Sequence, residues 1–213
     1  MKKILLIGDS IRKTYDKYVK MAFEDTAEVY YPEDNCRFAA YVLKNLPLWK
    51  SELQLPDDLD LIHWNAGLWD DLIITRDDVE HLTPLPIYTY YIERVCKTIS
   101  LLFPKAKVIF ATSTRIIEER FVDNKRYNSD TRIYNAAAVE IVKKYGAEIN
   151  DLYAITENIP ESYFIDMAHP YTKEGTRLLT EKVVSVIENA LDIRGKALDY
   201  DILFAEQTNI IGN

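Results

Sequence analysis

Short apolar runs alternate with longer stretches of helical periodicity along nearly the whole of this 213-residue chain. Strand-like runs fall at 3–8, 27–31, 59–65, 106–112 and 147–150, and helical patterns at 12–23, 36–49, 87–102, 130–145 and 172–191. A β-α-β-α order of this kind closes only as right-handed crossovers in a parallel sheet, with helices covering both faces. The expectation is therefore an α/β domain with a parallel sheet of about five strands. In such sheets, functional groups gather beyond the carboxyl ends of the strands.

The local signals agree. Tyr15, Val19 and Phe23 recur at helical spacing, as do Phe38, Tyr41, Val42, Leu46 and Trp49. Residues 106–112 (Ala-Lys-Val-Ile-Phe-Ala-Thr) read as a buried strand. Pro104 ends the helix before it, and Ser129 or Asp130 is expected to cap the next one, with Gly146 as its stop. Thr172 opens the last long helix, with Glu174 in its first turn. The domain is expected to span 1–191. The 192–213 tail carries the apolar stretch Tyr200-Asp201-Ile202-Leu203-Phe204, which suits docking onto that domain or onto a partner.

A chain of this length can bury a sizeable core. Its net charge of −8 argues against nucleic acid or an anionic membrane as the main partner, since both select basic surfaces. The apolar run after Met1-Lys2-Lys3 stops at Gly8, short of the roughly 7–15 residues of a signal core. No apolar stretch approaches the roughly 20 residues of a membrane span. Cys36 and Cys96 are the only cysteines; they give neither a disulfide framework nor a metal spacing, which fits a cytoplasmic address. Neither a metal nor an organic cofactor is expected, and nothing in the sequence indicates an oligomeric state.

The chemistry lies at the two ends of the chain. A serine hydroxyl needs a base to take its proton, and the base needs a third group to fix its tautomer. Gly8-Asp9-Ser10 follows the first strand and opens a helix, so Ser10 stands at a strand's carboxyl end, with its N–H near a helix N-terminus. The simpler alternative is that Ser10 only caps that helix. Asp166 and His169, three residues apart before the last helix, can meet within one turn, leaving the second imidazole nitrogen free to act as base. His63, within a strand, and His81, in a charged loop, are not assigned to catalysis.

Gly8-Asp9-Ser10 after an N-terminal strand, with Asp166-x-x-His169 before a C-terminal helix, resembles the SGNH hydrolase superfamily, also called GDSL-like esterases. The segment Asp166-Met-Ala-His-Pro-Tyr-Thr-Lys-Glu-Gly175, followed by Leu178 and Leu179, is similar to the family's closing block, and Phe110-Ala-Thr-Ser-Thr114 to its fourth strand. The resemblance spans nearly the whole chain. It implies a flavodoxin-like three-layer α/β/α sandwich and hydrolysis of an ester through an acyl-serine intermediate. Ser10 would be the nucleophile, His169 the base and Asp166 its orienting carboxylate. It also implies an oxyanion hole made of the serine N–H, a glycine N–H after the second strand and an asparagine side chain after the third.

This chain departs from that pattern twice. After the second strand it reads Pro32-Glu33-Asp34-Asn35-Cys36-Arg37-Phe38, without glycine. The N–H of Cys36 is expected to serve instead, with Arg37 as the other candidate and Asn35 shaping the turn. After the third strand it reads Asn65-Ala66-Gly67-Leu68-Trp69-Asp70, with Trp69 where the family has asparagine. Asn65 is the nearest side-chain amide and is expected to be the third donor; otherwise it ties down a loop. Asn35, Arg37, Trp69 and Arg115 are weaker candidates for substrate contact. Trp64, Trp69, Tyr88, Tyr90 and Tyr91 could line a sugar- or acyl-binding cleft, although aromatics at helical spacing more often fill a core. The expected substrate is a small-molecule or carbohydrate ester. An acyltransferase on the same machinery and an inactive flavodoxin-like binding module are the alternatives.

Overall fold

The computed structural model describes residues 1–75 and 79–211. Five parallel strands lie in the order β2-β1-β3-β4-β5: β1 (Lys2–Ile7), β2 (Ala27–Tyr30), β3 (Leu61–Trp64), β4 (Lys107–Ala111) and β5 (Glu148–Asn150). The order reverses at β1, whose Ile4 stands beside Val29 on one side and Leu61 on the other. That switch point opens a crevice at the carboxyl edge of the sheet.

The pleat sends alternate residues of β1 to opposite layers. Ile4 and Leu6 pack with Ile11, Tyr15 and Val19 of α1 (Ser10–Ala22) and with Leu179, Val183 and Ile187 of α6 (Lys173–Leu191). Leu5 and Ile7 pack with Val42 and Leu46 of α2 (Ala39–Glu52), Ile92 and Val95 of α3 (Leu85–Leu102), and Tyr134 and Ala138 of α4 (Asn128–Lys144). Both layers are continuous apolar clusters, and together they give the three-layer α/β/α sandwich that the sequence leads one to expect. Among the described residues, no helix is long and apolar enough to cross a membrane.

Several boundaries move for identifiable reasons. Helix α1 begins at Ser10 because Asp9 is its cap, its Oδ1 accepting from the Ile11 N–H at 2.9 Å. Helix α2 starts later than its periodicity suggests. The Cys36 N–H pairs with the Gly8 carbonyl, and Arg37 takes a left-handed φ of 49°, so helical backbone begins only after Phe38. The expected caps of α4 are corrected. Ser129 and Asp130 lie inside its first turn, the cap residue is Tyr127, and Asn128 turns its side chain to the backbone of Ile116. Two helices went unforeseen. One is α5 (Leu152–Thr156), a single turn capped by Asp151; the other is α7 (Tyr200–Ile211). Tyr200 and Phe204 of α7 set their rings about Tyr18 of α1, at centroid distances of 6.0 Å each. Asp201 pairs with Lys173 at 2.6 Å.

Candidate active site

Three loops meet at the carboxyl edge: the β1–α1 turn, the β3–α3 loop and the segment before α6. The first turn is possible only with glycine at position 8. A Cβ there would stand 1.9 Å from Asn65 Oδ1 and 2.8 Å from Arg12 Cβ. Ser10 occupies the first helical position, where no carbonyl within the helix reaches its N–H. Since Asp9 does the capping, the Ser10 hydroxyl is left to point elsewhere.

It meets His169. The Ser10 Oγ lies 2.8 Å from His169 Nε2, and His169 Nδ1 lies 2.7 Å from Asp166 Oδ2. The other carboxylate oxygen, Oδ1, accepts the N–H groups of Ala168 at 2.8 Å and His169 at 2.9 Å, which curls residues 166–169 into a tight turn. Partial burial alone would raise the Asp166 carboxyl. The two N–H groups and the imidazole outweigh it and hold the carboxyl below its ordinary value. Asp166 is thus a charged acceptor that keeps a proton on Nδ1 and leaves Nε2 facing the serine. Behind this turn, Gly175 lets α6 approach closely: a Cβ there would stand 2.4 Å from the Pro170 carbonyl.

Tyr171 is a site residue that the sequence did not single out. Its hydroxyl donates to the Ser10 carbonyl, and its ring centroid lies 4.9 Å from the His169 ring. Burial raises the phenol further above neutrality, so it remains a donor. The only prior hint was its place two residues after His169.

Asn65 lies at the end of β3, 1% exposed, with its carboxamide over Gly8 and beside Asp9. Burial raises the Asp9 carboxyl, against the opposing pull of Asn65 and the Ile11 N–H. Asn65 therefore stands next to the β1–α1 turn that carries Ser10. The Cys36 expectation is corrected: its N–H donates to the Gly8 carbonyl at 3.1 Å and is not available to a substrate oxygen. Its thiol is fully buried, and burial pushes it up to about 11, so it is no thiolate. The Arg37 N–H is likewise engaged, by Asn35 Oδ1 at 2.9 Å.

The weaker candidates divide. Trp69 is half-buried in the loop after β3, close in sequence to Asn65. The Arg37 guanidinium is exposed over the Tyr41 ring, 4.9 Å from its centroid. Arg115 is turned to a structural task, donating to the Ile159 carbonyl at 3.2 Å and lying over Phe164. Trp64 and Tyr88 are 0% exposed core residues and not cleft walls, and Tyr90 stands exposed with Arg94 on its hydroxyl. His63 is sealed in the sheet beside Asn150, where burial lowers it to about 3 and keeps it neutral. His81 binds Asp130 at 3.0 Å. Among the described residues, no group of three or more histidine, cysteine or acidic side chains is arranged to hold a metal ion.

The β3–α3 loop is built around two buried carboxyls. Asp70 accepts the Ala39 N–H at the start of α2 at 3.0 Å, and Asp71 accepts the Thr131 hydroxyl at 2.6 Å. Burial pushes Asp70 up to about 8 and Asp71 up to about 7, against the pull of those donors and of Arg126 beside Asp71. The folded chain thus holds these protons more tightly than the unfolded chain. Their contribution to stability is complete below the ordinary carboxylate range and is lost as pH rises through about 7 to about 8. Thermal melts should show stability falling between pH 5 and pH 9, with Asp70 alone contributing on the order of a few kcal/mol. Asp70→Asn should flatten that slope; an unchanged slope would contradict the assignment.

No protein-family model matches the sequence, and no curated protein sequence does so. Solved structures do match the fold. A lipase/acylhydrolase from Enterococcus faecalis superposes with a TM-score of 0.67 at 20% identity, covering 93% of this chain and 100% of that one. A GDSL-like lipase from Bacteroides thetaiotaomicron gives 0.63 at 16% identity, covering 89% of each chain. An acetyl xylan esterase gives 0.64 at 17% identity, covering 87% of this chain and 99% of that one. The chain shares the fold of these three hydrolases, one of them a GDSL-like lipase, along most of its length.

Proposed function

We propose that this chain is an SGNH-type serine hydrolase that cleaves an ester through an acyl-Ser10 intermediate. The observation that carries the proposal is the continuous relay Ser10–His169–Asp166, with links of 2.8 and 2.7 Å, at the switch point of a GDSL-like fold. Ser10 Oγ attacks the acyl carbonyl while His169 Nε2 takes its proton. The carbonyl oxygen becomes an oxyanion. As the tetrahedral adduct collapses, His169 gives the proton to the leaving alcohol. Water then adds to the acyl-serine by the same path, releasing the acid and restoring the hydroxyl. Asp166 keeps the imidazole in the tautomer that this path needs. Neither a metal nor a cofactor enters the scheme.

The Ser10 N–H is the first donor to the oxyanion; the Asn65 carboxamide, which bonds Asp9 and has two N–H groups, is the second through the N–H that Asp9 does not take. Asn65→Ala should lower kcat about 10²-fold, as loss of one such donor does, with KM little changed. A variant that keeps wild-type kcat would leave Asn65 only the task of bracing Gly8 and Asp9. For the substrate, the likeness to an acetyl xylan esterase supports a small acyl group, such as acetyl, on a carbohydrate hydroxyl. The half-buried Trp69 offers a flat apolar surface of the kind that packs on a sugar ring.

The reading is tested with a short-chain aryl acetate and an acetylated oligosaccharide, with and without an added sugar acceptor. Release of free acetate at a rate unaffected by the acceptor is the expected result. Acetyl transfer onto the acceptor would make the protein an acyltransferase, and no turnover of either ester would overturn the proposal.

A further inference from the structure

Arg12 is the least expected residue near the site. It lies two residues after Ser10 and is 0% exposed, although its guanidinium cannot give up its charge to ease burial. Each of its nitrogens has a different partner. Nε donates to the Gly8 carbonyl at 3.3 Å, Nη1 pairs with Asp16 Oδ2, and Nη2 donates to the Asp34 carbonyl at 2.7 Å. The guanidinium carbon also lies 5.7 Å from the Tyr31 ring centroid. Gly8 belongs to the nucleophile turn, and Asp34 to the loop between β2 and α2. The Cys36 N–H, from that second loop, reaches the same Gly8 carbonyl at 3.1 Å.

We infer that Arg12 is a positioning residue, whose fork ties the nucleophile turn to the β2–α2 loop and sets the direction of the Gly8–Asp9 peptide and hence of the Ser10 N–H. The inference rests on the hydrolase reading above. The β2–α2 loop, residues 31–38, holds no glycine, so it cannot settle by backbone freedom alone. Arg37 already occupies the left-handed region, at φ 49°. A planar guanidinium with three separate donor nitrogens can bridge two carbonyls and a carboxylate at once. An ammonium, as a compact point charge, cannot span them. Asp16 neutralises the buried cation but touches neither loop carbonyl, so charge balance and loop placement can be separated by mutation.

Three variants make the test: Arg12→Lys, the double variant Arg12→Gln with Asp16→Asn, and Asp16→Asn alone. Each is measured for folding by circular dichroism, for aryl-acetate kinetics against pH, and for the rate of labelling by a fluorophosphonate. The expected result is a fall in kcat of about 30- to 100-fold for Arg12→Lys and the double variant, the scale of a misplaced reacting group. KM should stay within about threefold and the pH midpoint should not move, because His169 and Asp166 are untouched; labelling should slow in parallel. Asp16→Asn should lose stability yet keep kcat within about threefold. Folded Arg12 variants with wild-type kcat would overturn the inference while leaving the hydrolase reading intact. Failure of both Arg12 variants to fold would also overturn it, since Arg12 would then serve the fold alone. A wild-type protein that neither turns over ester nor takes label overturns both.

Discussion

Ser10→Ala is expected to reduce ester turnover by on the order of 10⁴–10⁶-fold while leaving the thermal melt almost unchanged. The stability half of this expectation follows from the division of labour at the β1–α1 turn. Asp9, not Ser10, caps α1, so removing the hydroxyl costs no capping bond. The activity half follows from the hydroxyl's partner, His169 Nε2 at 2.8 Å. His169→Ala should lose about as much as Ser10→Ala, and the double variant little more, because a nucleophile and its base act as one unit. Additive losses would mean that the two side chains act separately, and the relay would then have no catalytic meaning. The measurement is steady-state hydrolysis of an aryl acetate, with circular dichroism melts for each variant.

The second large effect is expected from Asp166→Asn. The substitution preserves shape, and an asparagine Oδ1 can still accept the N–H groups of Ala168 and His169, so the 166–169 turn should survive. What changes is the atom facing His169 Nδ1. A carboxylate oxygen accepts a hydrogen bond from Nδ1–H, whereas an amide nitrogen donates one to Nδ1. The imidazole then carries its proton on Nε2, the nitrogen that must receive the serine proton. A loss of about 10³–10⁴-fold in kcat is expected, since the wrong tautomer dominates although the geometry is retained. A loss below about tenfold would show that Asp166 only shapes the loop.

The parts of this molecule legible in the sequence are those set by local pattern. Strand and helix order followed from periodicity, because a pleat and a helical turn impose fixed spacings on apolar residues. Ser10, Asp166 and His169, which the structure brings together, were legible as candidates because each sits beside a boundary between elements, where α/β sheets present their groups. What stayed hidden depends on where a side chain points once distant segments meet. Cys36 looked available as an amide donor; the Gly8 carbonyl, 28 positions earlier, claims it. Ser129 and Asp130 looked like caps, but the chain enters α4 two residues sooner, at Asn128, and Asp130 is turned to His81. Tyr171 and Arg12 reach the β1–α1 turn only through its carbonyls, of Ser10 and Gly8, which no periodicity marks. Nothing in the local pattern marks Asp70, whose carboxyl is sealed against the start of α2.

The central claim is that folding brings a base to one hydroxyl and makes it a nucleophile. Reaction of the wild-type protein with a fluorophosphonate, followed by peptide mapping by mass spectrometry, tests it most directly. A single adduct on the peptide containing Ser10, absent from His169→Ala, is the predicted result. A protein that stays unlabelled, or carries its adduct on another residue, would contradict it.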